Sequence, residues 1–293
     1  MVYKRTKGEL VFDIFNYIFM LMLVVVTLYP CYYVLVASVS DPVKVFATNG
    51  MILYPKGFLI GSYLEVIKSD QIWLGYRNTL FYVVCGGFTS VFLTVTAAFA
   101  LTRKDLPGKN IIMFLLMFTM YFSGGLIPTF LVVKSVGLLD SPLVMIIANA
   151  VATYNLIITI SYFRNMPYEL EEAAKIDGAG DYAVLFKIML PLAKPIIAVI
   201  SLYYMVAIWN NFMTALIYLN TRDYFPLQMI LREILIQNDT ASVSATGISG
   251  ESQAYAENLK YAIIVVSTVP ILCVYPFIQK YFVKGVMIGA VKG

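Results

Sequence analysis

The sequence predicts an all-α integral membrane protein with six transmembrane helices and one helical segment outside the membrane. Three observations predict it. Hydrophobic residues make up 60% of the 293 and charged residues only 13%, with a mean hydropathy of +0.79; soluble domains average roughly 25% charged. Six apolar stretches reach the length of about 20 residues that a helix needs to cross the hydrocarbon core. Between the fourth and fifth lies a polar, small-residue-rich segment, 165–191, with helix start and stop signals.

The first stretch is Val11–Ala37, preceded by Lys4, Arg5 and Lys7. That charged start suits a signal peptide, but the apolar run exceeds the 7–15 residues of such a peptide's core, so a retained helix is expected. A loop over 38–76 follows, with turn signals at Asp41-Pro42, Gly50, Pro55 and Gly57 and a short amphipathic run over 63–67. Thr79–Leu101 and Ile111–Val133 are the second and third spans. Gly124-Gly125 with Pro128 interrupts the third, either to line a cavity or to let helices pack closely. Pro142–Phe163, Pro195–Tyr218 and Tyr261–Phe282 are the fourth, fifth and sixth. The loop over 220–258 starts a short helix at Pro226-Leu227-Gln228, expected to stop near Leu235. From Asp239 to Ser252 it becomes rich in Ser, Thr, Gly and Ala, which predicts a flexible or partner-ordered stretch. The whole chain reads as a single transmembrane domain, 1–293, with a tail over 283–293 whose glycines and small residues suit threading into a tight interface better than forming a helix.

Lysine and arginine set the expected orientation. With the N-terminus inside, the cytoplasmic segments hold Lys4, Arg5 and Lys7, then Arg103, Lys104 and Lys109, then Arg164, Lys175, Lys187 and Lys194, then Lys280, Lys284 and Lys292. The longer external segments carry fewer, so the positive-inside rule places both termini in the cytoplasm. The net charge of +4 is explained by topology and calls for no nucleic-acid partner.

Several chemistries are excluded. The chain has no histidine, which removes His-based triads, His-ligated metals and His proton relays. Cys31, Cys85 and Cys273 sit in apolar runs and suggest neither a disulfide framework nor a metal site. Gly108-Lys109-Asn110 lacks the upstream glycine of a phosphate-binding loop. The central thirds of the spans hold essentially no charge, against ion or proton coupling. No catalytic residue and no metal or bound cofactor is expected, and the chain has no obvious route for binding ATP or coupling an ion gradient.

The segment over 165–191 has the makings of a helix–turn–helix. Pro167 suits a first helical turn, and Glu169, Glu171 and Glu172 complement the helix dipole there. Leu170, Ala173, Ala174 and Ile176 give a low apolar face that another protein can approach closely. Gly178-Ala179-Gly180 supplies a stop, Asp181 is placed to cap a second helix, and Pro191 kinks or restarts it.

Glu172-Ala173-Ala174, three residues, Gly178, nine residues, then Ile188-Met189-Leu190-Pro191 resembles the signature of ABC importer permeases, spacing for spacing. Tyr29-Pro30, Asn78-Thr79, the run Phe122–Thr129, Tyr154-Asn155-Leu156, Trp209-Asn210, Pro226-Leu227-Gln228 and the tail extend the resemblance over nearly the whole chain. They narrow it to carbohydrate-uptake permeases like the smaller maltose-transporter permease, and to the branch handling alginate or rhamnogalacturonan oligosaccharides. Asn211 stands where that family is expected to have a small residue. The resemblance implies the type I ABC importer permease fold in a prokaryotic plasma membrane, importing an oligosaccharide by alternating access. Glu172, Ala173, Ala174, Asp177, Gly178, Leu190 and Pro191 would form the element that couples to the ATPase. Implied partners are a second homologous permease, two copies of a cytoplasmic ATPase carrying ATP and Mg, an extracytoplasmic sugar-binding protein and the bilayer. The loop over 220–258 would reach into the binding protein, and the tail would reach the ATPase dimer.

Sugars are recognised by aromatic faces and neutral hydrogen-bonding groups. Tyr121, Tyr154, Asn155, Tyr204, Trp209 and Asn210 are therefore candidates for the substrate path. The same groups also serve interhelical hydrogen bonds and interfacial belts. A permease for an amino acid, polyamine or phosphate would keep the Glu-Ala-Ala signature, and a secondary carrier or channel is a further alternative.

Overall fold

A computed structural model describes residues 7–48, 50–103, 105–244 and 250–290, with side chains over 237–253, 274–275 and 277–290 outside the description. The elements in order are α1 (Lys7–Ser38), α2 (Pro42–Phe46), α3 (Gly61–Lys68), α4 (Asp70–Thr102), α5 (Lys109–Tyr121), α6 (Leu126–Ser135), α7 (Leu143–Ile147), α8 (Thr153–Arg164) and α9 (Glu169–Ile176). After α9 come α10 (Asp181–Ala183), a π-helical turn (Val184–Met189), α11 (Leu190–Leu192), α12 (Lys194–Trp209), α13 (Met213–Tyr218), α14 (Leu227–Ser244) and α15 (Gly250–Ala290). An isolated antiparallel bridge joins Ser40 and Phe58. The all-helical expectation holds among the described residues.

Among the described residues, three helices are long and apolar enough to cross a membrane: α1, α4 and the Ala254–Cys273 part of α15. Asp181–Leu192 and Lys194–Trp209 meet the same test as a pair but meet at an 83° bend. The expected third, fourth and fifth spans are each broken. The third splits into α5 and α6 around Phe122–Gly125, where Gly125 has φ 83°. The fourth splits into α7 and α8, and the fifth into α12 and α13 at Asn210–Phe212. The first break is the one that Gly124-Gly125 and Pro128 predict; in the fourth and fifth spans hydropathy records the apolar run and is blind to the interruption.

Two other expectations are corrected. Helix α14 runs on to Ser244 rather than stopping near Leu235, so Asp239–Ser244 is helical. No glycine or proline occurs between Leu227 and Ser244, and Ser, Thr, Asn and Asp each cost an established helix only about 0.7 kcal/mol or less. The tail is helical too: α15 continues through Gly285 and Gly289 to Ala290, while residues 291–293 lie outside the described residues. The chain has no proline after Pro276 to stop it.

The chain divides into two compact units, Met1–Asp70 with Glu233–Val269, and Gln71–Arg232 with Pro270–Gly293. In the first, α1 buries no side chain before Val36 and exposes Phe12, Phe15, Leu21 and Val25. Such a surface belongs in lipid or against another chain. The unit's small core gathers Val36, Ala37, Val45 and Ile52. Asp41 caps α2, its carboxylate accepting from Val43 N at 3.0 Å. Buried Asn258 holds the centre: its amide donates to the carbonyls of Ala37 (2.7 Å) and Ser40 (3.2 Å), and its oxygen accepts from the Ser62 hydroxyl.

The second unit contains the main core. Phe99 and Leu101 of α4, Leu156, Ile160 and Phe163 of α8, Val184, Leu185 and Met189 of the π turn, and Ile200 and Tyr204 of α12 pack into one cluster. Ala174 of α9 belongs to the same cluster. Farther along α4, Gly75 permits a close approach; a Cβ there would sit 2.8 Å from Ile230 Cδ1 and 2.9 Å from Leu227 Cα.

Candidate functional site

Helix α9 and the elbow after it are the segment that the spaced motif singles out. Three acidic residues, Glu169, Glu171 and Glu172, occupy its first turn and complement the partial positive charge of the helix start. Its C-terminus closes as a Schellman motif. Gly178 N donates to Lys175 O at 3.0 Å and Ala179 N to Ala174 O at 2.9 Å, with Gly178 at φ 84°. This is the left-handed position that glycine fills without strain. Asp181 does not cap from outside; it is the first residue of α10, whose N-cap is Gly180. The helix then widens into the π turn, passes Leu190-Pro191 and bends at Ala193 into α12. Single π turns inside helices recur at functional elements.

The helix is two-faced. Glu172, Ala173, Asp177 and Gly178 face solvent, with Ile176 86% and Tyr182 84% exposed. Ala174 and Glu171 face inward, Glu171 being only 7% exposed. Leu190 is half-buried and Pro191 exposed, both on the elbow.

Glu171 is held by two cations. Arg103, just beyond α4, donates to Oε1 of Glu171, and Lys175 Nζ lies 3.0 Å from the same oxygen. Burial works to raise the Glu171 carboxyl, but the hydrogen bonds and charges of Arg103 and Lys175 outweigh it and hold it below the usual carboxylate range. The same bond pushes the Lys175 ammonium up. Beside this cluster a cavity of about 290 Å³ is lined by Thr102, Arg103, Asp105, Phe163, Arg164 and Tyr168 among others.

The six substrate-path candidates differ in exposure and in the partners they already have. Tyr121 and Tyr154 are on the surface, 82% and 57% exposed, and Tyr154 lies 6.5 Å from the Tyr203 ring. Asn210 is exposed, its amide donating to Val206 O at 2.9 Å. Asn155, Tyr204 and Trp209 are buried. The Tyr204 hydroxyl shares a 2.6 Å hydrogen bond with Thr94 and accepts from Ala152 N at 3.0 Å, which ties α4, α8 and α12 together. Trp209 packs against the Tyr76 ring at 6.3 Å, and its indole N–H has no hydrogen-bond partner among the described residues.

Sequence reasoning passed over two groups of residues. Arg103 counted only toward topology, and Glu171 was overshadowed by its neighbour Glu172. The available signal was spacing, since Glu171 and Ala174 lie three apart on one helix face. Tyr82 was also missed: with Asn78 and Thr79 it brackets the 223–227 segment.

Comparison with known proteins agrees with this architecture. Residues 72–288 match the family model described as "Binding-protein-dependent transport system inner membrane component". The polygalacturonan/rhamnogalacturonan transport system permease protein YtcP of Bacillus subtilis is 44% identical over 282 residues, 96% of this chain and 98% of that protein. Protein LplC of the same organism is 40% identical over 99% of this chain and 97% of its own length. Among solved structures, a bacterial ABC transporter involved in the import of the acidic polysaccharide alginate contains a chain with TM-score 0.86 and 31% identity, covering 96% of this chain and 100% of that one. The protein belongs to the family of binding-protein-dependent transport system inner membrane components.

Proposed function

We propose that this chain is one permease subunit of an ATP-driven importer for an oligosaccharide of the kind released from acidic plant or algal polysaccharides. The observation that carries the reading is similarity along nearly the whole chain to a pectin-type permease and an alginate importer chain. The chain crosses the membrane six times, the broken helices counting as single spans, with both termini in the cytoplasm. It pairs with a second permease, receives sugar from an extracytoplasmic binding protein and binds a cytoplasmic ATPase dimer, which holds the ATP and Mg.

Helix α9 is the ATPase contact. Its exposed Ile176 and Ala173, with Tyr182 beyond the turn, offer apolar area, while Ala174 and Glu171 anchor it to the body of the permease. Closure of the ATPase dimer pushes α9. The elbow at Ala193 passes the push to α12, and the helices rock to open the sugar path inward. The path uses aromatic and neutral groups, Tyr121, Tyr154 and Asn210 on the surface and Asn155 and Trp209 behind them. The segment over 220–258 meets the binding protein, and the tail over 283–293 meets the ATPase dimer.

Reconstitution of both permeases, ATPase and binding protein in vesicles tests this. ATP-dependent uptake of oligogalacturonides is the expected result. Uptake without ATP, or uptake only of an amino acid, polyamine or phosphate, would overturn it.

A further inference from the structure

We propose that Arg103 and Glu171 form a strut that carries displacement of α9 into α4, which makes Arg103 a positioning residue for transport. The inference rests on the reading of α9 as the ATPase contact. Among the acidic residues of the first turn of α9, Glu171 alone is buried, while Glu169 and Glu172 face outward. Its partner is fixed to another helix. The Arg103 guanidinium lies 4.2 Å over the Phe99 ring; its Nε donates to Phe99 O and its Nη2 to the Thr102 hydroxyl, each at 3.3 Å. Lys109 Nζ donates to the Arg103 carbonyl at 3.0 Å, so the start of α5 is tied to the same point. Arg103 is thus fastened along the end of α4 by contacts that leave Nη1 directed at Glu171.

Burying such a pair is a poor way to gain stability, because desolvation offsets most of the attraction. It is a good way to fix two elements in register. The apolar contacts of Ala174 with the surrounding cluster allow small slides at little cost. A charge-assisted hydrogen bond between named atoms does not, and pulling it apart leaves the buried Glu171 carboxylate with only the more exposed Lys175 as partner. The Lys175 arm is more exposed and adds little stiffness of its own. The elbow at Ala193 links α9 to α12; the strut links it to α4, which reaches Thr102 from Asp70. One push on α9 then moves two long helices together.

The test uses the complete importer in vesicles, with ATPase co-purification, ATP hydrolysis and sugar uptake measured on each variant. The single variants Arg103→Gln and Glu171→Gln each remove one partner of the pair, the first leaving Glu171 to Lys175 alone and the second leaving Arg103 without its carboxylate, and are expected to express less. The double variant Arg103→Gln/Glu171→Gln removes both charges of the pair and is the decisive protein. It should assemble with the ATPase and hydrolyse ATP, while sugar imported per ATP falls about tenfold, within the range of ordinary coupling between sites. An unchanged ratio, or loss of the ATPase from the double variant, would overturn the strut. As a second route, Arg103→Cys/Glu171→Cys is made with the native cysteines replaced and bridged by a short bifunctional thiol reagent. Bridging should raise the ratio again, and no change on bridging counts against the proposal. Ala173→Arg, on the exposed face, separates the underlying reading. It should release the ATPase; retained ATPase with normal uptake would overturn the α9 contact itself, whatever the strut variants do.

Discussion

Asn78 and Phe225, 147 positions apart, are joined by a hydrogen bond of 3.0 Å from the Asn78 amide to the Phe225 carbonyl. The same amide donates to Asp223 O at 2.7 Å, the Tyr82 hydroxyl donates to Tyr224 O at 2.7 Å, and the Thr79 hydroxyl accepts from Leu227 N at 2.8 Å. Helix α4 thereby supplies partners for the irregular backbone that leads into α14. Without them the Phe225 carbonyl and the Leu227 N–H would be buried and unpaired, the costly arrangement in an apolar surrounding.

The bracket predicts an asymmetry between two substitutions. Thr79→Val keeps shape and leaves the Leu227 N–H without an acceptor, costing about 1–3 kcal/mol for a stranded buried donor. Thr79→Ser keeps the hydroxyl and should cost less than half of that. Thermal unfolding of the purified protein in detergent checks it; equal melting temperatures for the two variants would mean that the bond contributes nothing.

Tyr204 separates packing from sugar contact. Its hydroxyl is occupied by Thr94 and by Ala152 N. Tyr204→Phe should therefore lower stability by about 1–3 kcal/mol through the stranded Ala152 N–H, with the sugar concentration for half-maximal uptake unchanged. Tyr154→Ala should do the reverse, because Tyr154 is largely exposed. A shift in uptake affinity for Tyr204→Phe without a change in melting temperature would return Tyr204 to the sugar path.

Much of this architecture is legible in the sequence, and the reasons for the rest are specific. Apolar runs mark α1, α4 and α15 because twenty or more apolar residues have few other uses. The Schellman turn at Gly178 is legible because only glycine fits its φ of 84° comfortably. Arg103 and Glu171 are not, since no local pattern announces a pairing between residues 68 apart. The break at Phe122–Gly125 is legible from Gly124-Gly125 and Pro128, whereas the one at Asn210–Phe212 falls inside a stretch whose average hydropathy still reads as a single span. Tyr204 illustrates the opposite failure: an aromatic hydroxyl in a span has the same sequence signature whether it touches sugar or a helix start.

Gly178 gives a graded test of the turn. Placing a β-branched side chain at φ 84° costs about 1–2 kcal/mol, whereas Asn tolerates that region. Nothing lies within 4 Å of an added Cβ, so the backbone and not crowding decides. Gly178→Asn should retain uptake and ATPase binding, and Gly178→Val should lose much of both. Equal behaviour of the two would mean that the turn's conformation is irrelevant to coupling.

Asp140 carries the last prediction. It has φ 53°, and its carboxylate accepts from Asn220 N and Thr221 N at 2.8 Å and from the Thr221 hydroxyl at 2.7 Å. The Thr221 hydroxyl first, then the two backbone N–H groups, hold its pKa below the ordinary carboxylate value. The sign follows from linkage. A carboxyl depressed in the folded state contributes its stabilisation above its unfolded value of about 4 and loses it as pH falls through the lower folded value. The clamp joining the α6–α7 connection to the turn after α13 should therefore hold at neutral pH and loosen only in strong acid. Hydrogen exchange at the Asn220 and Thr221 amides, corrected for intrinsic rates, should show protection that begins to fall near a pH of about 4 and is lost as pH drops through the lower folded value. Asp140→Asn tolerates the positive φ but carries no charge, so its weaker protection should not change with pH in that range. Protection in the wild type that persists unchanged through strong acid would rule out the charged clamp.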